Sequence, residues 1–257
     1  MGNEYYPFID KIYRKLGINL HLYKENQMKR RLTSLRDKRG YTSFQSYYEA
    51  LQSNEQLLEE FIDRLTINVT EFYRNPKRWD VLEKIVFPKL LQNSRTLNIW
   101  SAACSTGEEP YSIALMLTEN FPQASYKIIA TDLDEKALAK AKKGEYINRS
   151  LKDLPVHMKQ KYFTKKGSLY LIDDSLKKNI TFKKHDLLSD SYPKNVDLIV
   201  CRNVLIYFTD KAKKTIYEKF SESLSQNGVL FVGSTEQIFN PAQYRLKVLE
   251  TFFYEKV

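Results

Sequence analysis

From Arg95 onward, short β-rich runs alternate with stretches of helical periodicity, and this alternation admits few folds other than a parallel sheet flanked by helices. Leu97–Ser101, Lys127–Thr131, Ile180–Lys184, Val196–Cys201 and Val229–Gly233 read as strands, the last after an Asn227-Gly228 turn. Glu108–Thr118, Glu135–Lys142 and Asp210–Ser225 read as intervening helices. Arg245–Leu249 and Thr251–Glu255 predict two more strands near the sheet edge. The crossover from Val156 to Asn179 is interrupted by Lys161–Thr164, a Gly167-Ser168 turn and Leu169–Ile172, so a small antiparallel β-subdomain is expected over about residues 156–179.

Residues 1–75 have a different texture, with no strand pattern and helical periodicity over Glu4–Leu16, Lys24–Arg39, Ser43–Gln52 and Asn54–Thr66. Gly17 and Gly40 follow basic stretches at helix ends, and Thr42 and Ser43 suit the start of the next helix. The expected boundary is Asn75-Pro76, separating an N-terminal helical domain (1–75) from an α/β domain (76–257), with Trp79–Leu91 as a bridging helix. The first thirty residues hold no sustained apolar run and no stretch of about 18 apolar residues occurs anywhere, so a cytoplasmic protein without membrane insertion is expected. Cys104 and Cys201 lack metal-ligand spacing and are expected as reduced thiols. His21, His157 and His185 show no ligand spacing either, so no metal is expected.

The chemistry concentrates where strands end, the edge at which parallel α/β sheets bind ligands. The first strand runs into Ala102-Ala103-Cys104-Ser105-Thr106-Gly107-Glu108-Glu109-Pro110, which has only one glycine of the dinucleotide type. Its carboxylates disfavour a pyrophosphate and suit a ligand carrying a cationic amino group; alternatively they only complement the helix N-terminus. The second strand ends at Asp132, 25 residues after Gly107, where a carboxylate accepts both ribose hydroxyls of an adenosine or else caps the helix near Asp134. Asp186 and Leu187 end the third strand, suited to an adenine amino group and ring face or to a solvent-facing strand end. Arg202 and Asn203 end the fourth, and burying them requires defined partners, ligand or protein. Upstream, Asn68, Thr70 and Arg74 alternate an amide, a hydroxyl and a guanidinium able to grip a carboxylate, or else join the two domains.

Together, Asn68-x-Thr70-x-Phe72-x-Arg74, the segment from Ala102 to Ser112, Ala130-Thr131-Asp132 and Cys201-Arg202-Asn203-Val204-x-Ile206-Tyr207-Phe208 closely resemble the CheR family of chemotaxis receptor methyltransferases over essentially the whole chain. The resemblance implies a Rossmann-like class I methyltransferase fold with an N-terminal helical domain and a small antiparallel β-subdomain. It implies S-adenosylmethionine as cofactor, S-adenosylhomocysteine as product, and Asn68, Thr70, Arg74, Glu108, Asp132, Asp186, Leu187, Arg202 and Asn203 as the residues lining that site. The implied reaction is methyl esterification of glutamates on the cytoplasmic methylation helices of chemoreceptors. Tyr207 would position the acceptor, or pack as an aromatic at a helix start.

The net charge of +10 is unevenly spread: residues 24–39 carry +5 while 40–75 carry −4. Met28, Leu32 and Leu35 form a buried seam, leaving Lys29, Arg31, Arg36 and Lys38 on its flanks as a solvated face or, as the resemblance suggests, a surface for the acidic methylation helices. The segment Lys165–Tyr170 is shorter and poorer in glycine than in family members that bind a receptor's C-terminal pentapeptide, so no such tether is expected. The fourth strand lacks an Asn/Asp-Pro-Pro-aromatic ending and no Pro-Cys nucleophile pair occurs, so nucleic acid is not expected as a partner. A noncatalytic binding module on the same fold is the alternative of a different class.

Overall fold

The computed structural model describes residues 4–66, 70–93 and 96–257, and Asn68 therefore lies outside the described residues. The chain forms two compact units, Met1–Ile67 with Leu205–Ile216, and Asn68–Val204 with Tyr217–Val257.

The first unit contains α1 (Tyr5–Leu16), α2 (Glu25–Lys38), α3 (Phe44–Ser53) and α4 (Glu55–Leu65). Tyr5, Phe8, Ile9 and Ile12 lie on one face of α1 and are buried, with Phe44, Tyr47 and Phe61 supplying aromatic neighbours. The ends are set locally. Gly17 stops α1 in a left-handed conformation, its N–H donating to the Tyr13 carbonyl, and the Ser43 and Asn54 side chains cap α3 and α4. Leu205–Ile216 joins this unit through backbone pairing: the Lys24 N–H donates to the Tyr207 carbonyl at 2.8 Å and the Thr209 N–H to the Leu22 carbonyl at 2.9 Å.

The second unit opens with α5 (Pro76–Val81), a π-helical segment (Leu82–Val86) and α6 (Phe87–Asn93), which follow one another without a break, so the expected bridging helix is present with a π-helical turn in its middle. It continues through β1 (Thr96–Ala102), α7 (Glu108–Asn120), β2 (Ser125–Asp132), α8 (Glu135–Lys143), β3 (Glu145–Ile147), α9 (Val156–Tyr162), β4 (Phe163–Lys166), β5 (Leu169–Ile172) and α10 (Asp174–Lys177). The remaining elements are β6 (Ile180–Lys184), β7 (Val196–Cys201), α11 (Asp210–Ser223), β8 (Leu224–Val232), β9 (Leu246–Glu250) and β10 (Phe253–Lys256). The main sheet has the order β6-β2-β1-β7-β8-β10-β9, parallel from β6 to β8, with β10 antiparallel to both neighbours. This is the Rossmann-like order expected from the sequence, with the last two strands added at one edge. β7 along nearly its whole length and β1 from Ile99 onward are buried, as central parallel strands must be.

Two expectations are corrected. The division falls before Thr70 and not at Asn75-Pro76, because Phe72, Tyr73 and Trp79 are buried in the core of the second unit. The small sheet, in the order β3-β5-β4, recruits Glu145–Ile147 from outside the expected insertion. Those three residues follow the Gly144 helix stop, too short a run to read as a strand on its own.

Candidate active site

All of β1, β2, β6, β7 and β8 present their carboxyl ends to the same edge of the parallel sheet, and the loops that follow them carry the candidate residues. After β1 the chain coils tightly: Ala103, Ser105 and Gly107 all have positive φ. Gly107 is needed twice over, for its φ of 93° and because a Cβ there would sit 2.8 Å from Ala141 Cβ. The Tyr146 hydroxyl donates to the Thr106 carbonyl and ties the loop to β3.

Two buried carboxylates follow from this loop. Glu108, 3% exposed, opens α7 and accepts a hydrogen bond from Thr106 Oγ1 at 2.6 Å. Desolvation pushes its pKa up to about 7, against the opposing hydrogen bonds from Thr106 and the backbone. Asp132 ends β2 and accepts the N–H of Ser105 at 2.8 Å and that of Asp134 at 2.9 Å. Burial raises it to about 6, opposed by those backbone donors. The helix-cap reading of Asp132 is excluded, since Asp134 caps α8 by accepting from Lys136 and Ala137. Asp132 instead holds the β1 loop against the end of β2.

The β7 loop is held as firmly. Arg202 is buried, and its Nη2 donates to the Arg74 carbonyl at 2.7 Å. The same carbonyl accepts from Trp79 Nε1 at 2.9 Å. Arg202 Nη1 lies 3.8 Å from Glu109, whose other oxygen accepts from Ser101 Oγ, and the guanidinium stacks 4.8 Å from the Phe231 ring centre. The partners of Arg202 are therefore protein groups, while its buried Nε has none among the described residues. Asn203 adopts a φ of 61° and its N–H donates to Glu236 Oε2 at 2.7 Å.

The sites expected from sequence thus divide. Thr70, Arg74, Glu108, Asp132, Asp186, Leu187, Arg202 and Asn203 all belong to the second unit, and the last six stand at the carboxyl ends of four strands or in the loops directly after them. Thr70 and Arg74 are half-buried. Asp186 Oδ1 accepts the Leu188 N–H at 2.8 Å, and Leu187 is buried, its carbonyl taken by the Tyr192 hydroxyl. Tyr207 belongs to the other unit, where the Arg31 guanidinium lies 5.4 Å from its ring centre.

Glu109, read with Glu108 as a carboxylate suited to a cationic group, is instead taken up by Arg202 and Ser101, and Glu236 is a structural part of the site that the sequence reading did not select. The signal for Glu236 was a glycine, Gly233, at the end of the fifth strand with an acid three residues on. The Gly233 N–H also donates to Glu236 Oε2, and a Cβ on Gly233 would run into that carboxylate.

Of the basic residues on α2, Arg31 Nη1 donates to the Leu65 carbonyl at 3.1 Å, and Arg36 pairs with Asp37 while stacking on Phe44. Lys29 and Arg30 line a shallow concavity with Asn26, Thr33, Ser34 and Asp37, and Lys38 is exposed. Cys104 and Cys201 are both buried free thiols, and burial pushes both thiol pKa values well up.

Residues 68–253 match the family model described as CheR methyltransferase, SAM binding domain, and residues 3–66 match CheR methyltransferase, all-alpha domain. A chemotaxis protein methyltransferase of Listeria monocytogenes is 49% identical over 100% of this chain and 98% of its own length. The chemotaxis protein methyltransferase of Escherichia coli is 36% identical over 88% of this chain and 81% of its own. Among solved structures, a putative O-methyltransferase from Nostoc punctiforme superimposes with a TM-score of 0.37 at 15% identity, covering 60% of this chain and 40% of that one, and bears on nothing further.

Proposed function

The chain belongs to the CheR methyltransferase family, and on that premise we propose that it transfers the methyl group of S-adenosylmethionine to glutamate side chains of chemoreceptors. The observation that carries this reading is the pair of buried carboxylates at the ends of adjacent strands, Glu108 after β1 and Asp132 on β2. A buried carboxylate needs a positive or donor-rich partner, and the two groups differ in what they ask for. Glu108, at the mouth of α7, fits an ammonium group; Asp132, already organised by two backbone donors, fits a ribose diol. Asp186 and Leu187 fit the amino group and ring of an adenine, and Arg74 fits an α-carboxylate. Thr70 and Asn68 complete the set by family resemblance. Arg202 and Asn203 belong to the set by the same resemblance, Arg202 held by the Arg74 carbonyl and Glu109 and Asn203 by Glu236.

S-adenosylmethionine supplies a methyl group on a sulfonium, and an acceptor carboxylate oxygen that takes it becomes a methyl ester, with S-adenosylhomocysteine as the other product. Glutamate, with a reference pKa of about 4.3, is ionised at neutral pH and needs no base from this chain. The chain's residues therefore act by alignment and exclusion of water, worth roughly 7–11 kcal/mol for well-oriented groups. Tyr207 has a packing partner in Arg31 and is given no step. The exposed basic residues of α2 are proposed as a docking surface for acidic receptor helices, and the two-residue Gly167-Ser168 turn of the β4–β5 hairpin supports activity without a pentapeptide tether.

The test is transfer of labelled methyl from S-adenosylmethionine to a receptor cytoplasmic fragment. Base-labile label, released as methanol and mapped to glutamates by mass spectrometry, is expected. Tight S-adenosylhomocysteine binding without transfer to a competent receptor would leave the noncatalytic reading in its place.

A further inference from the structure

The turns that follow β7 and β8 share one buried carboxylate. These strands are parallel neighbours, so both turns stand at the same edge of the sheet. Glu236, 5% exposed, accepts the Asn203 N–H and the Gly233 N–H on the single oxygen Oε2, each at 2.7 Å. Its own N–H donates to the Gly233 carbonyl at 2.9 Å and closes the second turn. Gly233 is required by space alone: its φ is not positive, yet a Cβ there would collide with Oε2 and stand 2.8 Å from the Asn203 nitrogen.

A carboxylate withdrawn from water needs donors, whereas a turn at the surface needs no carboxylate, since water satisfies its N–H groups. The arrangement therefore serves what it holds. Asn203 has a φ of 61°, a left-handed conformation that asparagine tolerates but does not prefer. Its backbone is fixed on one side by Glu236 and on the other by Arg202, which is bound to the Arg74 carbonyl. Its half-buried side-chain amide, by contrast, makes no hydrogen bond among the described residues. A rigid backbone carrying an uncommitted amide is preorganised for a ligand, because the backbone is already ordered in folding and need not be ordered on binding.

Resting on the functional reading above, we propose that Glu236 is a positioning residue for the methyl donor: by gripping the Asn203 N–H it fixes where the Asn203 amide meets the cofactor, and Gly233 keeps the room that this grip needs. Glu236 itself touches neither the cofactor nor the acceptor. Its effect passes through Asn203, and this sets it apart from a carboxylate that only stabilises the fold.

The experiment is a double-mutant cycle of E236A with N203G, reading S-adenosylhomocysteine Kd and melting temperature on each protein, with E236Q as the conservative variant. E236A is expected to weaken S-adenosylhomocysteine about tenfold, within the range for residues joined by a hydrogen bond. E236Q should recover most of that affinity, because its amide oxygen accepts the same two N–H groups. N203G lacks the amide and takes a positive φ freely, so adding E236A to it should change Kd by less than about twofold while still lowering the melting temperature. Should E236A fail to fold, G233A, whose Cβ displaces the same carboxylate, replaces it in the cycle with the same expectation. An unchanged Kd in the single variant overturns the inference. An equal loss of affinity with and without the Asn203 side chain overturns it too, since Glu236 would then act through the fold. In both cases wild-type binding and methyl transfer keep the functional reading intact, whereas a wild type that does not bind S-adenosylhomocysteine removes that reading and this role with it.

Discussion

Glu108 is a carboxylate placed where ionisation is costly, and this has a measurable sign. Its folded pKa, about 7, lies above the ordinary carboxylate value because burial disfavours the charged form. The folded state therefore holds the proton more tightly than the unfolded chain. The stability this contributes is complete below the unfolded pKa and is lost as pH rises through about 7. E108Q retains the neutral shape and loses that dependence. Between pH 5.5 and 8 the protein without ligand should lose roughly 2 kcal/mol more than E108Q does, read by chemical denaturation at the two pH values. Parallel pH dependences would show that Glu108 is already ionised throughout. The same sign bears on binding. An ammonium group beside Glu108 favours the carboxylate, so the proposed cofactor should bind with release of a proton near neutral pH.

At the scale of the element, α2 carries two kinds of cation. Arg31 and Arg36 are committed inside the first unit, to the Leu65 carbonyl and Tyr207 and to Asp37 and Phe44 respectively. Reversing them would damage the fold before it reported on docking. Arg30 and Lys38 are exposed and free of that ambiguity. R30E/K38E is expected to raise the acceptor KM several-fold with unchanged melting temperature and S-adenosylhomocysteine Kd. R31A should destabilise by about 1–2 kcal/mol through the lost hydrogen bond and ring contact. An acceptor KM unmoved in R30E/K38E would return α2 to an ordinary solvated face. The helical period that located the buried seam of Met28, Leu32 and Leu35 was legible in the sequence. The inward commitments of Arg31 and Arg36 were not, because long cations bury their stems and choose partners supplied by other elements.

For the molecule as a whole, a net charge of +10 predicts salt-sensitive encounter with an acidic acceptor. The Debye length falls from about 10 Å at 0.1 M to about 3 Å at 1 M, so added salt screens exposed charge far more than it screens buried groups. Raising sodium chloride from low to several hundred millimolar should raise the acceptor KM while leaving S-adenosylhomocysteine affinity within about twofold. Equal weakening of both would locate the relevant charge inside the cofactor site.

The alternation of β and helical periods was enough to read a parallel sheet, the ends of its strands and the residues standing there, because side-chain period and local turn chemistry are properties of short segments. Glu108, Asp132, Arg202 and Asn203 were found that way, at strand ends in one unit. What each of them touches depended on segments far apart in the chain. Asp132 holds the Ser105 loop, Arg202 reaches back to Arg74, and Glu236 clamps Asn203. Likewise Phe72 and Tyr73 went to the core of the second unit, and Glu145–Ile147 became a strand by finding β5. Hydrogen bonding and burial across such separations are decided by which surfaces meet when the chain closes, and no local pattern encodes that meeting.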